Sequence, residues 1–129
     1  MQVRIPDRKL KRELENDAEC RRRYGVAMAK KIKLRMDALG AAESLAVFWP
    51  PFSGPERCHE LQGQLVGTFS MDVKQPYRLL FREDELGKES GLDGGKQAEQ
   101  GSSTKEKDER QRWLGIRSIE IKGIEDTHG

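Results

Sequence analysis

The chain contains two histidines, His59 and His128, and they are the side chains whose unperturbed titration falls near neutral pH. They are therefore the candidate proton carriers. Two arginines follow on a strand pattern. Tyr77, Leu79 and Phe81 alternate with Arg78, Leu80 and Arg82, so a strand there would put Arg78 and Arg82 on one face. The two cysteines offer less. Cys20 and Cys58 show no CxxC spacing and have no histidine pair to complete a zinc site, so neither a disulfide nor a metal is expected. Cys58 precedes His59, but neighbours on a strand point to opposite faces, and a buried or idle thiol is expected rather than a nucleophile.

Composition bounds what can position these groups. The chain has 129 residues, 35% of them hydrophobic and 36% charged, which is lean for a core and fits one compact domain plus a polar segment. No run of about 18 apolar residues is present, and the start MQVRIPDRKL lacks the apolar stretch of a secretory signal, so a cytoplasmic protein without membrane contact is expected. The formal charge of +2 conceals an asymmetry: residues 1–35 hold 12 Lys/Arg against 5 Asp/Glu. That half is the natural place for phosphate, although a run of charge on a helix is as often only a solvated face.

Residues 2–5 can form a short edge strand, after which Pro6 and Asp7 mark a helix entry with Asp7 as N-cap and Leu10, Leu14 and Ala18 on one face. Gly25 breaks that pattern. Met28, Ile32, Met36 and Leu39 then form the core stripe of a second helix over about 26–42, with Lys30, Lys31, Lys33 and Arg35 lying mostly away from it. Three prolines between Trp49 and Pro55 demand a connecting loop. From Leu65 the period becomes two, with Leu65, Gly67, Phe69, Met71 and Val73 on one side, and the chain turns at Lys74-Gln75-Pro76 into the returning strand that carries Arg78.

Residues 84–112 carry 8 acids, 6 bases, five glycines and no aromatic residue, and a disordered loop is expected there. From Trp113 the β-branched run through Ile116, Ile119, Ile121 and Ile124 predicts a long strand with a bulge near Ser118. The sum is an α+β sandwich: two N-terminal helices packed on one face of a mostly antiparallel sheet, as a single domain over 1–129 with a polar insertion at 84–112.

Four segments together, Arg57-Cys-His-Glu-Leu-Gln-Gly63, Gly67-Thr-Phe-Ser-Met-Asp-Val73, Pro76-Tyr-Arg-Leu-Leu-Phe81 and Asp126-Thr-His128, resemble the HigB plasmid-maintenance killer proteins of the RelE/ParE superfamily. The likeness covers about 3–83 and 113–128. It implies the RelE/ParE microbial ribonuclease-like fold and ribosome-dependent cleavage of messenger RNA without a cofactor. It also implies a HigA-like antitoxin with a helix-turn-helix, through which alone operator DNA would be met.

Carried over by position, the resemblance makes His59, Arg78, Asp126 and His128 the catalytic set. Arg78 would hold the scissile phosphate with its planar, permanently charged donors, the histidines would move protons, and Asp126 would orient or supply a base. The family's lysine is Gln62 here and its tyrosine is Thr127, and Lys74 or Arg82 are the candidates to restore the missing charge on RNA. Two other readings share the fold: a ParE-like poison of DNA gyrase, and a non-enzymatic binding module descended from a toxin.

Overall fold

The computed structural model describes residues 1–85 and 105–126. In chain order it comprises β1 (Gln2–Arg4), α1 (Arg8–Glu15), α2 (Asp17–Tyr24), α3 (Val26–Ala41), β2 (His59–Glu60), β3 (Thr68–Lys74), β4 (Tyr77–Glu83), α4 (Lys105–Leu114) and β5 (Ser118–Asp126). Short 3-10 turns stand at Leu45–Phe48 and Gly63–Leu65.

Polar side chains set the helix limits. Asp7 accepts the amide hydrogen of Leu10 at 2.9 Å and starts α1 as the sequence predicts. Asn16 then ends α1 and caps α2 by accepting from the Glu19 amide at 3.0 Å, so the expected first helix is two. Gly25, at φ 89°, separates α2 from α3. In α3 Met28, Ile32 and Leu39 are buried and Met36 is packed against them, as the stripe requires. Arg35 differs: expected on the polar side, it is 7% exposed.

The five strands form one sheet in the order β1-β5-β4-β3-β2. The β1–β5 pair is parallel and the other three are antiparallel, so the sheet is mostly antiparallel as expected. Alternation gives it two different faces. Phe69, Met71, Val73, Leu79, Phe81, Ile119 and Ile121 join the buried residues of the helices in one core on the first face. His59, Ser70, Asp72, Arg78, Leu80 and Arg82 occupy the second face, because each stands across from, or two residues from, another of the set in the ladder.

Three expectations are corrected. The strand expected from Leu65 begins at Thr68, since Gly63–Leu65 is a 3-10 turn and Leu65 is exposed. Residues 105–112, expected within a disordered loop, lie in α4, where Trp113 is fully buried edge-on to Trp49 and Phe69 at 5.0 and 5.5 Å. Trp113 in the core and Arg112 on Glu60 tie that stretch to the domain, contacts that composition alone does not reveal. Residues 86–104 lie outside the described residues. The last strand consequently starts at Ser118, and its bulge falls at Lys122, between Ile121 opposite Phe81 and Gly123 opposite Leu80.

Candidate active site

His59 comes to the second face through a two-residue edge strand. It pairs with Ser70, which pairs in turn with Leu80, so three strands present one row of side chains. Two residues further along β3, Asp72 pairs with Arg78. With strands about 4.8 Å apart and a rise of about 3.3 Å per residue, the Cα atoms of His59 and Arg78 lie on the order of 12 Å from each other.

The loop between the helical layer and β2 seats the imidazole. His59 Nδ1 lies 2.9 Å from the Arg57 carbonyl oxygen. A carbonyl can only accept, so Nδ1 is the donor of this pair and Nε2 is the nitrogen left for other partners. Phe52 stacks on the imidazole with centroids 3.9 Å apart and planes at 19°. The thiol beside it takes no part: Cys58 is fully buried in the core, and burial pushes it up to about 12, so it stays protonated.

Asp72 organises the cations. Its Oδ1 accepts from Arg78 Nε at 3.1 Å, and its Oδ2 lies 3.5 Å from Arg57 Nε. Two guanidinium groups thus converge on one carboxylate. The backbone of Asp72 is fixed as well: its amide donates to the Glu56 carbonyl at 2.8 Å, and its carbonyl accepts from the buried Arg35 Nε at 2.6 Å. Arg35 also reaches the Pro55 carbonyl at 3.4 Å, so α3 holds both the strand and the loop that carry the site. Beneath His59 the Ser70 hydroxyl is buried and has no hydrogen-bond partner among the described residues.

The other expected site residues are more scattered. Arg82 shares the face but stands four residues up β4, across from Thr68 and Glu120. Lys74 pairs with Tyr77 after a bulge and so belongs with the opposite side. Gln62 is exposed in the turn from β2 to β3. Asp126 ends β5 across from Tyr77, while its neighbour Glu125 stands across from Arg78. Thr127 and His128 lie outside the described residues.

Sequence reasoning missed Asp72, Arg57 and Phe52. Alternation with Met71 and Val73 puts Asp72 on the polar side of its strand but gives no sign that it stands across from Arg78, which depends on the bulge at Val73. For Phe52 and Arg57 there was no signal, because an irregular proline-rich loop has no period to read.

Two ion-pair groups are structural. Glu60, on the first face, accepts from Arg112 at 2.7 and 3.1 Å, ties α4 to the sheet, and is held below the usual carboxylate range chiefly by those hydrogen bonds. Arg4 is bidentate on Asp84 at 2.9 and 3.2 Å and reaches Glu120 at 2.6 Å, closing the β1–β5 end of the second face. A cavity of about 250 Å³ lies among the helices, lined by residues such as Asp17, Cys20, Arg21 and Lys30, and is separate from the His59 row. Among the described residues no cluster of three or more His, Cys, Asp or Glu could hold a metal, and no helix is long and apolar enough to cross a membrane.

No family model and no curated protein matches the chain. Among solved structures, a YoeB/ParE toxin from Agrobacterium tumefaciens is similar over 99% of this chain and 100% of its own, at 14% identity and a TM-score of 0.49. A YoeB dimer from Staphylococcus aureus is similar over 100% of this chain and 98% of its own, at 15% identity and a TM-score of 0.46.

Proposed function

We propose that the chain is the toxin of a type II toxin-antitoxin pair, an endoribonuclease that cuts messenger RNA on the ribosome and so stops translation. The observation that carries this reading is the second face of the sheet, where the His59 imidazole, its Nδ1 against the Arg57 carbonyl, shares one surface with two guanidinium groups gathered on Asp72. RNA cleavage needs a base for the attacking 2′-hydroxyl, cations for the charge that builds on phosphorus, and a proton for the departing 5′-oxygen.

In this reading His59 Nε2 takes the 2′-hydroxyl proton as the oxygen attacks phosphorus. Arg78, with Arg57 beside it, neutralises the equatorial oxygens. His128 returns a proton to the 5′-oxygen as the P–O bond breaks, leaving a 2′,3′-cyclic phosphate. Asp72 holds the guanidinium groups in place, and Asp126 leads the chain from β5 to His128. Arg82 extends the positive track along β4, with Gln62 and Thr127 as further RNA contacts, while Lys74 serves RNA from the far side of the hairpin.

The partners that follow are a HigA-like helix-turn-helix antitoxin, the ribosome with its messenger, and operator DNA only through the antitoxin complex, all within the cytoplasm. The test is induction from a tightly repressed promoter, as the wild type and as Arg78→Ala, with mapping of new messenger 5′ ends beside growth. Growth arrest with codon-phased cuts, both lost in the variant, is the expected result. Arrest without cuts would move the target to gyrase or elsewhere, and absence of arrest would leave a non-enzymatic binding module.

A further inference from the structure

Among the described residues two non-glycine positions hold a positive φ, Phe52 at 68° and Arg57 at 46°. Both lie in the loop before β2, and both touch His59, one through its ring and the other through its carbonyl. Left-handed backbone is disfavoured for residues with a Cβ and persists where the surroundings impose it, most often at functional sites. The loop does place glycine at its other left-handed position, Gly54. Side chains are therefore retained at Phe52 and Arg57 despite the backbone.

Core packing does not explain them. Phe52 is 49% exposed and the Arg57 side chain 51% exposed. Instead their planar groups assemble: the Arg57 guanidinium carbon lies 5.1 Å from the centre of the Phe52 ring, and the Phe52 ring lies flat on His59. The same Arg57 is tied through Asp72 to Arg78, so the stack is fixed in register with the cation expected to hold a phosphate.

We propose that the Arg57–Phe52–His59 stack is a subsite for one unpaired base of single-stranded RNA. The proposal rests on the nuclease reading of His59 and Arg78 and adds to it the group that sets where along the strand the phosphate falls. Every base offers a flat π face to an aromatic ring or a guanidinium plane, whatever its hydrogen-bonding edge, and such stacking tolerates sequence. A base laid against the exposed part of this stack extends its own sugar-phosphate along the row towards Arg78. Discrimination at this position is consequently by the presence of a base more than by its identity.

The probe is a fluorescein-labelled hexaribonucleotide, 2′-O-methylated throughout so that it cannot be cut, compared with versions carrying one abasic residue at each position in turn. Wild type is expected to bind the intact strand about 5- to 150-fold more tightly than the version abasic at one particular position. Phe52→Leu, which keeps apolar volume but removes the π face, should abolish that difference at an unchanged melting temperature. Arg78→Ala should weaken intact and abasic strands alike. Equal affinity of wild type for all strands, survival of the difference in Phe52→Leu, or no binding by wild type overturns the subsite. Cleavage on ribosomes, followed in parallel, reports separately on the nuclease reading: its absence with the base difference intact removes that reading and leaves the subsite.

Discussion

In the proposed reaction His59 depends on a carbonyl. Because the Arg57 oxygen occupies Nδ1, the opposite nitrogen is the one left to face a substrate, and the stacked Phe52 ring restricts how the imidazole can turn. His59→Asn keeps a donor for that carbonyl and removes the base, and is expected to slow messenger cleavage about 10²- to 10⁴-fold in a ribosome assay with the fold intact by circular dichroism. Arg78→Ala should cost about 10²- to 10³-fold, as loss of a preorganised charge donor does, and Arg78→Lys should recover only part because an ammonium lacks the planar fork. A variant that cuts as fast as wild type would remove its residue from the site. At this scale His59 and Arg78 are legible in the sequence, one as a rare titrating group and the other as a base on an alternating strand. Asp72 is not, because pairing Lys74 with Tyr77 across a two-residue turn would set Val73 against Arg78, and the bulge at Val73 is what brings Asp72 there instead.

The elements are fastened to one another by buried or half-buried cations. Arg35 leaves the polar side of α3 to donate to the carbonyls of Asp72 and Pro55, and periodicity could not place it there because its partners are backbone atoms of distant segments. Arg35→Leu removes both donations from a buried place and is expected to cost about 1–3 kcal/mol in urea unfolding. Cleavage should fall further than stability explains, since the loop seating His59 loses its anchor. Undiminished activity in that variant would refute the link. Glu60 and Arg112 fasten α4 in a more exposed setting. A carboxylate held below its usual range stabilises the fold above the pKa it has in the unfolded chain, and that contribution disappears as pH falls through the folded value. Glu60→Gln should therefore cost about 0.5–1 kcal/mol at neutral pH, discounted for the exposure of Arg112. The gap from wild type should narrow as pH falls below the ordinary carboxylate range and close once both proteins lack the charge.

At the scale of the molecule, the core is one cluster that spans the helices, the first face of the sheet and Trp113. Trp113→Ala is expected to destabilise by about 3–5 kcal/mol and to lower the urea midpoint identically by far- and near-ultraviolet circular dichroism, since α4 belongs to the same cooperative unit. Separate transitions by the two probes would instead make α4 an independent element. The amino-acid sequence by itself determined the class of the fold, the Asp7 cap, the stripe of α3, the hairpin and the two groups on which the proposed chemistry depends, because these follow from local periods of 3.6 and 2 and from side chains that carry their own chemistry. Tertiary structure alone decided that α4 forms and that Arg35 is buried. It also decided that a strained loop lays Phe52 and Arg57 on His59, and that bulges at Val73 and Lys122 set which charged residues meet. The physical reason is common to all four: each depends on contacts between segments far apart in the chain, and a pairing shifted by one residue exchanges the two faces of a sheet.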